Sequence, residues 1–445
     1  MARQLFGTDG IRGKAGEYPL DAATAFGLGA ALGHWARHKS AAPRVLLGMD
    51  TRESGPWLAK AVAAGLRAAA VEPIFAGVIT TPGVAYLTKT GDFVAGVMIS
   101  ASHNPYEDNG LKVFDHSGYK LPDAVELELE EQILVHRVGA SDLESALEAD
   151  ASLDAAYLDY LAATFPHRLE GWRLVVDCAH GAASKLGPDL FVRLGADVVA
   201  VANTPNGRNI NEGVGALHTD FLQREVLARD ADLGVAFDGD ADRALFVAAS
   251  GRKLDGDAVL LVVGRALHEA GKLPGGRVVA TVMSNLGLEV ALRKSGLSMA
   301  RAAVGDKYVL EEMIASGAAL GGEQSGHLIF REYATTGDGL LTALQLLAAL
   351  VGSGKTADEL AADLEVYPQR LENVRVKERK PLGELAEVQA GIAECEAAFA
   401  GAGRVLVRYS GTELLARVMV EGNDADLVAH HAKRIAGLIA QSVGA

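Results

Sequence analysis

The chain has 445 residues, of which 49% are hydrophobic and 22% charged, with a formal net charge of -15. That length exceeds what one hydrophobic core sustains, so three or four domains are expected. The negative balance excludes a general nucleic-acid or membrane-surface binder, which needs an electropositive face; an anionic small substrate is allowed where arginines gather locally.

Strand-like and helix-like segments alternate, which predicts α/β domains built from parallel-sheet units. Ala22 to Ala36 reads as a helix, Arg44 to Gly48 as a buried strand and Trp57 to Ala70 as a helix. Phe93 to Ile99 reads as a strand that runs directly into Ser100-Ala101-Ser102-His103-Asn104-Pro105. Around Glu126 to Leu153 the chain turns acidic and helical, and a domain boundary is placed there. A second unit opens with the strand Arg173 to Asp177, then the helix Ala183 to Leu194 and the strand Asp197 to Ala202. Its next strand, Asp232 to Phe237, opens into Asp238-Gly239-Asp240-Ala241-Asp242-Arg243. A third runs from Asp257 through the strand Arg277 to Met283, the helix Leu286 to Lys294 and the Glu323 loop to the helix Gly339 to Leu350. The rest reads strand, helix, strand, strand, helix over Glu372 to Lys377, Leu385 to Phe399, Arg404 to Arg408, Leu415 to Val420 and Asp426 to Ile439, a small α+β domain.

Cys178 and Cys395 form no metal-spaced pair and read as free thiols in a reducing compartment. The first residues lack the pattern of a signal peptide, and Leu340 to Val351 is too short to span a bilayer. A soluble, cytoplasmic protein is expected.

Two strand ends carry the chemistry. One presents Ser102, a hydroxyl nucleophile; the other presents three alternating carboxylates and a cation. An extended loop turns Asp238, Asp240 and Asp242 to one side, and such hard oxygen ligands suit Mg²⁺. The competing reading is a polar turn whose aspartates cap backbone, but three carboxylates without an ion repel one another. An EF-hand is excluded by Arg243 at its sixth position and Ala249 at its twelfth. A serine before His-Asn-Pro is by itself a turn residue, and His103 is not by itself a base, because adjacent residues on a strand face apart. In combination with the aspartates, Ser102 becomes a candidate for metal-assisted phosphoryl transfer. No Gly-x-Ser-x-Gly elbow surrounds it. Gly321 to His327 offers Glu323 and Ser325 at i and i+2, suited to two neighbouring sugar hydroxyls or simply a solvated glycine-rich loop. Arg408-Tyr409-Ser410-Gly411-Thr412-Glu413, with Arg417, offers a guanidinium, hydroxyls and a glycine N–H for a phosphate, or a hairpin turn.

Two resemblances to nucleotide motifs fail. Gly352-Ser353-Gly354-Lys355-Thr356 lacks the first P-loop glycine, which is Ala349, and follows a helix; Thr356 with Glu359 reads as a capping box. Gly27, Gly29 and Gly33 lie in a helix with the wrong dinucleotide spacing and read as packing glycines.

Taken in order, Phe6-Gly7-Thr8-Asp9-Gly10-Ile11-Arg12-Gly13 and the Ser102, Asp238, Glu323 and Arg408 loops resemble the α-D-phosphohexomutase superfamily from end to end. The opening run and Gln324 point to its bacterial glucosamine branch. The resemblance implies an α/β fold of three α/β domains with mixed, mainly parallel sheets, plus a C-terminal α+β domain, around a central cleft. The boundaries expected are 1–152, 153–254, 255–367 and 368–445. It implies an isomerase interconverting glucosamine 6-phosphate and glucosamine 1-phosphate, on the route to UDP-N-acetylglucosamine and cell-wall precursors. Ser102 would be carried as phosphoserine, with one Mg²⁺ per subunit bound by Asp238, Asp240, Asp242 and the phosphoserine oxygen. A sugar bisphosphate is the implied intermediate and activator. Arg12, His103, Lys112 and Arg243 match positions near the transferring phosphate, where positioning and electrostatics dominate. Glu323, Ser325 and His327 would contact the sugar; Arg408, Ser410, Gly411, Thr412 and Arg417 would hold the idle phosphate. Tyr409, Leu414 and Met49 depart from the family pattern. The alternatives are a phosphomannomutase or phosphoglucomutase of relaxed preference, a metal-dependent sugar phosphatase, and a non-catalytic sugar-phosphate binder. The implied partner is a hexosamine phosphate, with no nucleic acid and no membrane; oligomeric state is not legible.

Overall fold

The computed structural model describes residues 4–7, 9–137, 146–410 and 414–445. It divides into two compact units, one of Met1–Val282 with Ala300–Ala361, the other of Met283–Met299 with Ala362–Ala445.

The first unit begins with a six-stranded mixed sheet. Arg44–Met49 pairs in parallel with Glu72–Val78 on one side and Ala95–Ile99 on the other. The parallel crossovers run through the helices Gly55–Ala68 and Thr81–Thr90. Ala95–Ile99 then pairs antiparallel with Asp108–Asp115, which pairs antiparallel with Gly10–Lys14. This order decides the chemistry. Met49 is the register partner of Ile99, so the loops after those strands, Asp50 onward and Ser100 onward, leave the sheet side by side. Lys112 stands opposite Met98, and Arg12 opposite Gly110.

Ala22–Arg37 packs on Gly55–Ala68 through glycines, as their sequence position predicted. A Cβ on Gly29 would lie 2.0 Å from the Val62 carbonyl oxygen, and one on Gly65 2.1 Å from that of Phe26. No neighbour can yield there, because both obstacles are backbone. The core beneath is aliphatic, with Leu28, Leu32, Val45, Leu47, Val62 and Val97 fully buried; each such side chain contributes roughly 1.5–3 kcal/mol of transfer free energy.

A five-stranded sheet follows, ordered Lys253–Leu254, Ala244–Ala248, Leu233–Phe237, Arg173–Asp177, Asp197–Val201. Its last three strands are parallel and its first three antiparallel. The third sheet has the order Ser298–Ala302, Arg277–Thr281, Leu320–Gly322, Leu328–Phe330. Thr356 and Glu359 form the expected capping box at the helix Ala357–Leu360. In the second unit three antiparallel strands, Gln369–Arg375, Leu415–Gly422 and Gly403–Tyr409, carry the helices Ala386–Phe399 and Ala425–Val443. The α/β assignment and the terminal α+β pattern therefore hold. Both cysteines are free and buried.

Nine of the described strands have no counterpart in the sequence reading, among them Gly10–Lys14, Glu72–Val78 and Asp108–Asp115 in the first sheet and Ala244–Ala248, Ser298–Ala302 and Leu328–Phe330 in the next two. The first and third contain Gly or Asn-Gly near their starts, which signal turns, and the second contains Pro73. Sheet pairing overrides those local preferences. Phe93 and Val94, read as strand, precede it; Val94 still donates to the Arg44 carbonyl at 2.9 Å.

Candidate active site

Ser102 lies two residues beyond Ser100, where the strand Ala95–Ile99 leaves the sheet. Its φ of +54° is left-handed, a conformation a β-bearing residue adopts only when its surroundings impose it. The surroundings are identifiable. Arg52, fully buried, donates from Nη2 to the carbonyls of Ser102 at 2.8 Å and Asn104 at 2.9 Å. Its Nη1 reaches the carbonyls of Pro105 and Asp108, and its Nε pairs with Asp50 at 2.9 Å. Asn211 donates to the same Ser102 and Asn104 carbonyls at 3.0 and 3.1 Å. The Ser102 N–H donates to Ser100 Oγ, whose own hydroxyl donates to Asp50 at 2.6 Å. Burial raises the Asp50 pKa against the opposing charge of Arg52.

The left-handed turn also overturns one expectation. Strand alternation would send His103 away from Ser102, but the chain is not extended there, and His103 Nδ1 lies 3.2 Å from Ser102 Oγ. Burial, followed by the charges of Arg243 and Arg12, lowers the His103 pKa and favours the neutral ring.

Ser102 Oγ donates to Asp238 Oδ2 at 2.6 Å, across 136 residues of chain. The aspartates do not lie in an extended loop as expected; Ala241 N–H donates back to the Asp238 carbonyl at 3.0 Å, Ala241 is left-handed, and a tight turn gathers the carboxylates instead. Gly239 sits at the meeting point, where a Cβ would be 2.5 Å from the Ser102 carbonyl oxygen. One ligand oxygen from each of Asp238, Asp240 and Asp242 lies within 4.8 Å of the others. Asp240 Oδ2 accepts from Thr81 Oγ at 2.5 Å and Lys112 Nζ at 2.8 Å. The other oxygens, Asp240 Oδ1 and Asp242 Oδ1, are buried and accept no hydrogen bond. Burial, then the charges of Asp242 and Asp240, pushes Asp238 well above the carboxylate range. Two orphaned anionic oxygens in a converging hard-oxygen set are what a small divalent cation satisfies.

Cations ring the triad. Lys112 is fully buried; burial alone would discharge it, but Asp240, Asp9 and Asp242 hold it protonated far above its usual range. It lies 3.3 Å from Asp9 and 3.7 Å from Asp242. Arg12 and Lys120 both pair with Asp9. Although burial opposes it, Lys112, Lys120 and Arg12 keep Asp9 well below the ordinary range. The backbone N–H of Arg243 donates to Asp238 Oδ1 at 3.2 Å, and its side-chain Nε lies 3.8 Å from Asp242.

The Glu323 loop leaves the strand Leu320–Gly322 and meets the start of the strand that follows the aspartate loop: Ala244 N–H donates to the Gly326 carbonyl at 3.1 Å. Glu323 accepts from Gly305 N–H at 3.0 Å, and Ser325 is exposed. His327 is buried, accepts the Gly337 N–H on Nε2 at 3.2 Å and lies 4.0 Å from Asp242. In the second unit Arg408 and Arg417 are direct register partners on adjacent strands, so their side chains share one face of the sheet. With Met283, Leu371, Leu406 and Met419 they line a pocket. Arg408 belongs to the strand and not to the loop after it, and Ser410 follows, buried. Gly411 and Thr412 lie outside the described residues. Arg52, Asp50, Asn211, Thr81, Asp9, Lys120 and Asp306 were not assigned from sequence. Only the Asp50-Thr51-Arg52 run gave a signal, as polar residues directly after a buried strand.

Residues 3–137, 155–251, 255–367 and 371–438 match, in turn, the phosphoglucomutase/phosphomannomutase alpha/beta/alpha domains I, II and III and the C-terminal domain. The chain thus has the four-part build of the phosphohexomutases. It is 58% identical over 445 residues to the phosphoglucosamine mutase of Solibacter usitatus, covering 100% of both chains. It is 50% identical to that of Koribacter versatilis, covering 99% of this chain and 98% of the relative. A solved phosphoglucomutase/phosphomannomutase family protein from Burkholderia thailandensis shares the fold at a TM-score of 0.79, with 24% identity over 98% of this chain and 96% of that one. Aspergillus fumigatus N-acetylphosphoglucosamine mutase, solved with GlcNAc-6P and magnesium, shares it at 0.64, with 20% identity over 98% and 96%. The chain belongs to the α-D-phosphohexomutase superfamily and, within it, to the phosphoglucosamine mutases.

Proposed function

We propose that this isomerase interconverts glucosamine 6-phosphate and glucosamine 1-phosphate through a phosphorylated Ser102 and a bisphosphorylated sugar. The observation that carries the reading is the 2.6 Å contact of Ser102 Oγ with Asp238 inside a buried carboxylate triad. Asp238, Asp240, Asp242 and a phosphoserine oxygen would hold Mg²⁺, which when bound neutralises phosphate oxygens and polarises the phosphorus.

Forward transfer breaks the P–Oγ bond of phosphoserine and forms a P–O bond to the sugar's free hydroxyl. Net, one proton passes from that hydroxyl to Oγ. Neutral His103, with Nδ1 at 3.2 Å from Oγ, delivers it. Lys112, Arg12 and Arg243 stay charged and stabilise the developing phosphoryl charge, since this chemistry is mainly positioning and electrostatics. The bisphosphate then turns over: a P–Oγ bond to its other phosphoryl group forms as that group's P–O bond to the sugar breaks, and the Ser102 proton passes by way of His103 to the departing sugar oxygen, which restores phosphoserine and releases the isomeric monophosphate. Glu323, Ser325 and His327 contact the sugar in both orientations, and Arg408, Ser410, Gly411, Thr412 and Arg417 hold the idle phosphate. Two arginines side by side on one sheet face, lining one pocket, support that role because they bring two guanidinium donors within reach of a single phosphate. The parts divide as 1–152 with the serine, 153–254 with the metal loop, 255–367 with the sugar loop and 368–445 with the phosphate loop. Among the described residues no helix is long and apolar enough to cross a membrane; the proposed site of action is the cytoplasm.

A coupled assay comparing glucosamine, glucose and mannose phosphates, run beside intact-mass spectrometry, tests the reading. Turnover highest with glucosamine phosphate and one added phosphate on Ser102 are expected. Release of free phosphate in step with substrate loss would instead establish a phosphatase.

A further inference from the structure

Lys120 lies outside the acidic triad and outside the Glu323 loop, yet a continuous line of charge contacts joins the two through it. Lys112 Nζ donates to Asp240 at 2.8 Å and lies 3.3 Å from Asp9. Asp9 pairs with Lys120, and Lys120 pairs on its other side with Asp306. Asp306 is the first residue of the helix Asp306–Ser316. Gly305, immediately before it, gives its N–H to Glu323 Oε1 at 3.0 Å. One oxygen of the Glu323 carboxylate is therefore fixed by the start of a helix, and that helix start is fixed by Lys120.

A second ion pair at this junction is more exposed. Lys307, the next residue, pairs with Asp123 at 2.6 Å, but these side chains are 42% and 55% exposed, against 25% and 24% for Lys120 and Asp306. Exposed pairs are worth little, whereas a half-shielded lysine shared by two carboxylates is screened less. Both partners respond to the arrangement. Against burial, Asp9 and Asp306 hold Lys120 above its usual range, and Lys120 leads the charges that keep Asp306 below its own.

We propose that Lys120 is a positioning residue: by bridging Asp9 and Asp306 it sets the distance between the phosphoryl-transfer centre and the Glu323 carboxylate, and so the register in which a sugar hydroxyl is read. The proposal rests on the reading of Glu323 as a sugar ligand. A chain of packed ion pairs transmits position only if its members act as one unit, which is a claim about coupling and not proximity.

Three measurements test it on the full-length protein with Mg²⁺ and glucosamine 6-phosphate. Lys120→Met is expected to raise KM about tenfold with kcat within about twofold, the signature of lost ground-state binding. Lys120→Arg restores most of the loss, because it keeps the charge that a merely space-filling role would not need. In a double-mutant cycle Lys120→Met and Asp306→Asn are expected to be far from multiplicative, the pair being little worse than either alone. Intact-mass phosphorylation of Ser102 and the melting temperature serve as controls for folding. An unchanged KM in Lys120→Met, or independent effects in the cycle, overturns the proposal while Glu323→Gln still raises KM. If Glu323→Gln leaves KM unchanged, the sugar-ligand reading falls first and takes the proposal with it.

Discussion

Around Ser102 the backbone itself is held by side chains. Arg52 and Asn211 converge on the Ser102 and Asn104 carbonyls, and Ser100 links the Ser102 N–H to Asp50. Around Arg408 the arrangement is the reverse: Arg408 and Arg417 extend from a regular antiparallel ladder, and their proximity follows from register alone. The difference matches the two tasks that the proposed function assigns to these regions. A nucleophile has to meet phosphorus in line, and a misplacement near 1 Å costs orders of magnitude in rate. A group that holds a phosphate at a distance from the reacting bond needs charge and reach more than angular accuracy. A left-handed, over-restrained serine and a pair of half-buried arginines placed by strand register are the corresponding solutions.

If that contrast is right, changes at the first region should damage kcat, and changes at the second should damage KM. Ser102→Ala is expected to lower turnover by roughly a thousandfold or more and to abolish phosphate incorporation by intact mass, since it removes the nucleophile itself. Its stability should shift by only about 1 kcal/mol, the net worth of one hydrogen bond. Chelation is the next largest test. With EDTA turnover should vanish and return on adding Mg²⁺. If the folded triad holds the ion as proposed and the unfolded chain does not, Mg²⁺ at a hundred times its Kd should add about 2.7 kcal/mol of apparent stability.

Arg52→Met breaks the clamp from below. It leaves Asp50, fully buried, without its partner, and loss of one member of a buried pair costs about 3–5 kcal/mol. Beyond that stability loss, read from the urea midpoint, kcat should fall roughly a hundredfold at unchanged folding, because the Ser102 loop relaxes from its left-handed turn. A fall in stability with normal kcat in the folded fraction would reduce Arg52 to scaffolding.

The parts of this site that were legible in the sequence are those whose chemistry is contiguous along the chain. Ser102 follows a buried strand directly, and Asp238, Asp240 and Asp242 occupy one short turn. What was not legible is held by distant pairs of ordinary residues. Arg52 meets Ser102 across 50 positions and Asn211 meets it across 109, and nothing about an arginine or an asparagine in a loop announces such a partner. Lys120 and Asp306, 186 positions apart, are a further case. The contact of His103 with Ser102 was not legible for a different reason: the alternation rule presumes extended backbone, and the left-handed φ of Ser102 suspends it. The fold class was legible because long aliphatic runs mark many buried strands. That signal failed at Asp108–Asp115, which begins Asp-Asn-Gly, and also at short apolar strands that follow polar loops, Ala244–Ala248 and Leu328–Phe330.

At the second region Arg408→Met should raise KM for the sugar phosphate about tenfold, the loss of one exposed phosphate contact, with kcat little changed. Arg417→Met should behave alike, and both effects should shrink as salt is raised, since half-exposed charges are screened. A larger drop in kcat than in affinity would blur the contrast between the two regions.

The smallest effect separates what burial does to a carboxylate from what a cation does. Asp177 ends the strand beside the one that carries Asp238, and its register partner is Ala236. Like Asp240 it is wholly buried, but its partners are the N–H groups of Ala179 at 3.0 Å and Gly215 at 2.7 Å in place of a lysine. Burial pushes its pKa up to about 6, while Lys112, against the same burial, holds Asp240 below the ordinary range. An acid whose pKa is raised on folding binds its proton more tightly in the native state. Its contribution to stability is therefore complete below the unfolded value near 4 and is lost as pH climbs through about 6, by about 3 kcal/mol in all. Asp177→Asn cannot titrate and should flatten that segment of the stability curve, read as urea midpoints at pH 4.5 and 7. The mutant must give up one acceptor, so at pH 4.5 it should be the less stable of the two, and the gap should close as pH rises. A gap that widens with pH would mean that Asp177, like Asp240, is held ionised by a cation.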